Sequence, residues 1–276
     1  MRRLVITLTI FLFPLLVHGQ NLFVGEDIGN IYKFTPGGVR STFASALSGP
    51  WGLAFDNEGN LFEADWGSSN IYKFTPDGTR STFASGLSNP VGLAFNSAGN
   101  LFVSSYYSGN IYEFTPGGVR STFASGLAPG GLAFDSVGNL FDADEGGNIY
   151  EFTPDGTRST FASELAPWSL AFDSKGNLFE ADFDSGNIYK FTPDGTRSTF
   201  ASGLSMPVGL AFDGSGNLFE ADYLSGNIYK FTPDGTRSTF ASGLSGPTYL
   251  TFEPVPEPAT LLLLGLGAVI LRKRKV

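Results

Sequence analysis

The tripeptide Asn-Ile-Tyr occurs six times in this 276-residue chain, with its asparagine at positions 30, 70, 110, 148, 187 and 227. The spacings are 40, 40, 38, 39 and 40 residues. A period held this tightly marks a repeat architecture, in which each unit buries its apolar face against its neighbours. The full unit, read from Asn70, is N-I-Y-K-F-T-P-D-G-T-R-S-T-F-A-S-G-L-S-N-P-V-G-L-A-F-N-S-A-G-N-L-F-V-S-S. Of the 27 phenylalanines, 24 fall at four fixed places, one per segment in each of six copies.

Each segment is short, aromatic or β-branched, and bounded by turn residues, which predicts a strand. Four strands per unit follow, here a (Leu93–Phe95), b (Leu101–Val103), c (Ile111–Phe114) and d (Ser121–Ser125). Gly-Asn closes the a–b turn, and Thr-Pro-Asp-Gly or Thr-Pro-Gly-Gly makes the c–d turn. Proline presets φ at the first corner, and glycine supplies positive φ at the exit. A four-stranded unit of about 40 residues fits one blade of a β-propeller. The predicted fold is therefore all-β, a six-bladed propeller. The chain opens on a b strand (Leu22–Phe23) and closes on an a strand (Leu250–Phe252), so these two must pair to complete the first blade. That pairing brings the ends of the ring together and removes an exposed edge. The propeller is expected over residues 20–253.

Both ends carry addresses. Residues 1–19 read as a signal peptide: Arg2 and Arg3, an apolar run from Leu4 to Val17, then small-residue positions at Val17 and Gly19 before a cut that leaves Gln20 first. Residues 254–276 contain Pro256, Glu257 and Pro258, an apolar stretch of 13 residues from Ala259 to Leu271, and the basic run Arg272–Lys275. A full membrane span needs about 20 residues, so this stretch is a marginal anchor with its basic tail on the cytoplasmic side. This arrangement resembles the PEP-CTERM sorting signal. The resemblance implies recognition by an exosortase of a Gram-negative bacterium, a transient membrane association, removal of the tail, and delivery to the cell surface or extracellular matrix.

Composition narrows the chemistry. The chain has no cysteine, and its one histidine, His18, falls in the predicted signal peptide. The mature protein would lack disulfides, thiol nucleophiles, histidine metal sites and His-based triads. Six of the 17 basic residues sit at the two ends, leaving 11 against 26 acidic ones between residues 20 and 271, a net charge of −15. A body this acidic repels nucleic acid and anionic membranes, and a monomer with no nucleic-acid partner is expected.

Strand directions alternate, so the a–b and c–d turns share one face of the ring. The b–c turns and d–a connections share the other. The first face is nearly identical in every copy. The second varies, and gathers Trp51, Trp66, Tyr106, Tyr107, Trp168, Phe183 and Tyr223. Aromatic platforms beside hydrogen-bond acceptors suit sugars and other polar–apolar ligands. The same rings also suit caps on hydrophobic layers between blades.

Paired carboxylates recur at the end of strand b: Glu63/Asp65, Asp142/Asp144, Glu180/Asp182 and Glu220/Asp222, with Glu26 alone in the first copy and Val103/Ser105 in the third. Residues i and i+2 share a strand face. Two roles are open for the pairs: oxygen ligands for a divalent cation such as Ca²⁺ or an acid–base pair, and caps that accept backbone N–H bonds at the b–c turn. Six arginines, at 40, 80, 120, 158, 197 and 237, open strand d. Their spacing predicts salt bridges to neighbouring blades or to the c–d turn aspartate.

The motifs P-x-G-L-A-F-D, G-N-L-F-x-A-D and N-I-Y-x-F-T-P-D-G resemble NHL and gluconolactonase-like propeller repeats across most of residues 21–253. That resemblance implies the fold, while the activities hosted on it differ. Gluconolactonase-like enzymes hold a metal through Glu, Asn and Asp, often at the x of P-x-G. Here those positions are Trp51, Val91, Gly130, Trp168, Val208 and Thr248. Streptogramin lyases share this propeller type and lean on a histidine. The sequence predicts an exported, non-catalytic binding or scaffold protein with no cofactor, and a polysaccharide or a surface protein as its ligand. The alternative is a metal-dependent hydrolase built on Glu63, Glu180 and Glu220.

Overall fold

The computed structural model describes residues 19–255. The predicted signal peptide up to residue 18 and the motif residues Pro256, Glu257 and Pro258 lie outside the described residues. Strands β1 (Leu22–Glu26), β2 (Asn30–Phe34) and β3 (Arg40–Ala44) begin blade 1. Blade 2 is β4 (Pro50–Phe55), β5 (Leu61–Asp65), β6 (Asn70–Phe74) and β7 (Arg80–Ala84). Blade 3 is β8 (Pro90–Phe95), β9 (Leu101–Ser105), β10 (Asn110–Phe114) and β11 (Arg120–Ser125). Blade 4 is β12 (Pro129–Phe134), β13 (Leu140–Asp144), β14 (Asn148–Phe152) and β15 (Arg158–Ser163). Blade 5 is β16 (Pro167–Phe172), β17 (Leu178–Asp182), β18 (Asn187–Phe191) and β19 (Arg197–Ala201). Blade 6 is β20 (Pro207–Phe212), β21 (Leu218–Asp222), β22 (Asn227–Phe231) and β23 (Arg237–Ala241). The last strand, β24 (Pro247–Phe252), returns to blade 1.

Every blade is a four-stranded antiparallel meander, and the a strands pack side by side around the axis. β24 pairs with β1, Leu22 opposite Phe252 and Val24 opposite Leu250. The joint is reinforced beyond the ladder. Glu253 N–H donates to the Asn21 carbonyl at 2.9 Å, and Lys33 Nζ lies 3.3 Å from the Glu253 carboxylate. The ring closes within its own strands, with β24 completing the sheet of blade 1.

The repeated phenylalanines build the core. Phe62 of strand b meets Phe83 and Phe95 edge to face, each at 5.0 Å between centroids. The same triplet recurs around the ring, for example at Phe102, Phe123 and Phe134. Each such pair contributes about 0.5–1.5 kcal/mol beyond burial. Strand b is buried along its whole length in every blade, while the first three residues of strand d are exposed. The c–d turns behave as their sequence predicts. Gly78 has φ +84° and donates to the Thr75 carbonyl at 2.8 Å.

Candidate functional site

The variable face carries one continuous aromatic array, and it contains all seven rings named from sequence. Trp51 of blade 2 and Trp168 of blade 5 stand on opposite sides of the ring and meet at 5.3 Å between centroids. Trp51 also packs on Trp66 at 6.1 Å and stacks nearly parallel to Tyr223 at 6.4 Å. Trp66 touches Tyr106 and Tyr107 at 5.6 and 5.7 Å, and Trp168 stacks on Phe183 at 5.3 Å. The array thus spans the axis and draws on blades 2, 3, 5 and 6. Most of its rings are half-buried, and Tyr107 is 69% exposed. The Trp168 Nε1–H is buried without a hydrogen-bond partner.

Two tyrosines of the array are tied to carboxylates of the next blade. Tyr106 donates to Glu145 at 2.5 Å, and Tyr223 donates to Asp27 at 2.8 Å. The bond to Glu145, with burial and the negative charge nearby, pushes the Tyr106 phenol up to about 12. Burial raises the Glu145 carboxyl, and the Tyr106 bond partly offsets this. Burial followed by the Asp27 bond raises Tyr223.

A residue missed in the sequence reading sits below this array. The third position of the six a strands holds Gly52, Gly92, Gly131, Ser169, Gly209 and, alone among small residues, Tyr249. Tyr249 crosses the channel from blade 1, and its Oη donates to the Trp168 carbonyl at 2.8 Å. A Cβ added at Gly131, on the facing blade, would lie 2.9 Å from that Oη. Burial, then the nearby Glu145 and Asp142 charges, holds the phenol well above its ordinary range. On the repeated-turn side of Tyr249, a cavity of about 490 Å³ is lined by leucines 53, 93, 132, 170, 210 and 250, with Tyr249 among its walls. The interruption of a five-fold small-residue pattern by one Tyr was the available signal.

The carboxylate pairs divide into two populations. The second members bind backbone. Asp65 accepts from Ser48 N at 2.7 Å and Ser68 N at 2.9 Å, linking the d–a connection to the b–c turn. Asp144, Asp182 and Asp222 repeat this bridge. Glu26 accepts from Ser245 N in blade 1, and Ser105 takes the place of the acid in blade 3. The first members, Glu63, Asp142, Glu180 and Glu220, are wholly buried, and none of their carboxylate oxygens has a hydrogen-bond partner. Gly130 N–H approaches Asp142 and lowers its pKa somewhat, without the alignment of a hydrogen bond. Their counterparts in blades 1 and 3 are Val24 and Val103, which pack into the hydrophobic clusters between blades. Burial first, and the neighbouring aspartate second, push all four well above the ordinary carboxylate range. Among the described residues, no three His, Cys, Asp or Glu side chains converge closely enough to hold a metal ion.

The arginines depart from expectation. Each guanidinium lies over the tyrosine of strand c in its own blade, from Arg40 over Tyr32 at 4.9 Å to Arg197 over Tyr189 at 5.3 Å. The planar cation finds a ring one strand away. The ion pairs found among the described residues are instead Lys33–Glu253 and Lys73–Asp56.

Comparison with known proteins agrees with this architecture. Residues 254–275 match the model of the PEP-CTERM protein-sorting motif. No curated protein matches the chain. A chain of a nidogen/laminin complex superposes with a TM-score of 0.79 at 22% identity, covering 86% of this chain and 99% of that one. A gluconolactonase from Xanthomonas campestris gives 0.69 at 17% identity, covering 81% and 83%. A virginiamycin B lyase from Staphylococcus aureus gives 0.62 at 18% identity, covering 74% and 76%. At these identities the likeness is one of fold. Among the described residues, no helix is long and apolar enough to cross a membrane. The chain is a six-bladed β-propeller, with NHL and gluconolactonase-like propellers among its structural neighbours, and it carries a PEP-CTERM sorting motif that implies an exported protein processed by an exosortase.

Proposed function

We propose that this protein is a non-catalytic binding scaffold at the cell surface or in the extracellular matrix of a Gram-negative bacterium. On this reading it acts as a monomer, and it is anchored in the membrane only in passing before an exosortase removes its tail. The observation that carries the reading is the aromatic array. Seven rings from four blades form one surface, with two carboxylates hydrogen-bonded into it. Rings with a polar rim give large contact area at small entropic cost, which suits a sugar polymer or a surface protein.

A metal-dependent hydrolase is the second reading. It is favoured by the four buried carboxylates that lack partners, and it would use Glu63, Glu180 and Glu220. Calorimetric titration of chelator-treated propeller with Ca²⁺, Mn²⁺ and Zn²⁺ separates the two. The scaffold reading expects no tight stoichiometric site. One tight site that disappears in Glu180→Gln or Glu220→Gln would replace it with the hydrolase.

A further inference from the structure

The binding face also has a charge pattern that discriminates among ligands. This inference rests on the binding reading above. Six b–c turns and six d–a connections form the face. No lysine or arginine lies in any of them, whereas Asp27, Glu145, Glu164 and Asp184 do. The six arginines stand on the outer blade wall, stacked over tyrosines. Four of the five lysines of the propeller lie over phenylalanine rings of strand b, and Lys175 sits in an a–b turn on the other face.

Two of these carboxylates are hydrogen-bonded into the array itself. Glu145 and Asp27 accept the Tyr106 and Tyr223 hydroxyls. Aromatic faces attract cations, and adjacent carboxylates add to that field. A polyanion would meet the same field as repulsion, with no cation in the loops to offset it. The rim also presents apolar surface, with Ile28 at 66%, Tyr107 at 69% and Leu224 at 62% exposure.

We propose that this face binds an amine-bearing glycan, a hexosamine polymer with free, protonated amino groups. The apolar faces of its pyranose rings would stack on Trp66 and Tyr107, while its ammonium groups meet Glu145 and Asp27. A ligand that repeats ring and cation along its length complements an array that sets a carboxylate against a ring at Tyr106–Glu145 and at Tyr223–Asp27.

The test is calorimetry on the propeller, residues 20–255, below neutral pH. The probes are the hexamers of glucosamine, N-acetylglucosamine and galacturonate, with hexalysine as the peptide control. The glucosamine hexamer should bind at least about tenfold more tightly than the acetylated one, and the galacturonate hexamer should not bind. Trp66→Ala and Glu145→Gln should each weaken glucosamine binding, with circular dichroism unchanged, and added salt should weaken it further. Equal affinity for the acetylated and free hexamers, lost in Trp66→Ala, would overturn the charge inference and leave the binding reading standing. Tighter binding of hexalysine or galacturonate would overturn the ligand class. If no oligomer binds, this proposal falls. The binding reading falls with it only if Trp66→Ala also leaves retention of the protein in the matrix unchanged.

Discussion

Trp51 and Trp168 project from opposite blades of the ring and meet above its axis, 5.3 Å apart between centroids and inclined at 51°. Two other inner strands carry Val91 and Val208 at the same position. The contact is therefore a local addition to the repeat, and the propeller itself does not require it. Trp51→Val should leave the ring intact and remove the packing on Trp66, Trp168 and Tyr223. Urea unfolding should show a loss of about 2–3 kcal/mol. The emission of the remaining tryptophans should move to the red.

Tyr249 separates filling from hydrogen bonding. Tyr249→Phe keeps the ring and leaves the Trp168 carbonyl without its donor, at a cost of about 1–2 kcal/mol. Tyr249→Gly restores the small residue found on four other blades but empties the channel, costing about 3–5 kcal/mol. Equal effects for the two variants, measured by denaturant unfolding, would mean that the hydrogen bond carries the whole contribution.

The buried carboxylates make stability depend on pH in a stated direction. Glu63, Asp142, Glu180 and Glu220 have folded pKa values above their unfolded ones, because burial disfavours their charged forms. Between the unfolded and folded values, the folded state binds more protons. Stability is then fully present below the ordinary carboxylate range and is lost as pH rises toward the folded values. Each group contributes a slope of about 1.4 kcal/mol per pH unit in that window. Replacing Glu63, Glu180 and Glu220 by valine, the residue at this position in blades 1 and 3, should flatten the slope and raise stability at neutral pH. Unfolding free energies measured across pH for the wild type and the triple variant test this.

The aspartate bridges should be sensitive to deletion and tolerant of a hydroxyl. Asp65→Ala leaves the Ser48 and Ser68 N–H groups unpaired, at a cost of about 2–4 kcal/mol. Asp65→Ser should cost less, because Ser105 bonds both the N–H and the carbonyl of Ser88 in blade 3. Hydrogen exchange at Ser48 and Ser68 should quicken far more in the alanine variant than in the serine variant.

The blade count, the strand order and the closing of β24 on β1 were legible because a six-fold repeat of four phenylalanines admits few other packings. The seven aromatic residues could be assigned to one face by counting strand reversals. Their mutual stacking could not be read, since Trp51 and Trp168 lie 117 residues apart by their numbers and meet only when the ring closes. The role of Tyr249 is not legible in sequence for a similar reason: its partner is a backbone carbonyl across the channel. Regular spacing points the arginines to acidic partners, whereas in the fold each guanidinium lies over the strand c tyrosine of its own blade. Glu63 and Asp65 look alike in sequence, and the fold alone separates a buried acid without partners from a backbone cap.

The most direct test of the binding account is retention in extracellular polymer. Purified propeller would be co-sedimented with insoluble matrix from the producing bacterium, and the wild type compared with the Trp66→Ala/Tyr107→Ala double variant. Saturable binding that weakens at least about tenfold in the folded double variant is the predicted result. Undiminished binding in that variant would contradict the account. So would an absence of binding together with metal-dependent lactone hydrolysis by the wild type.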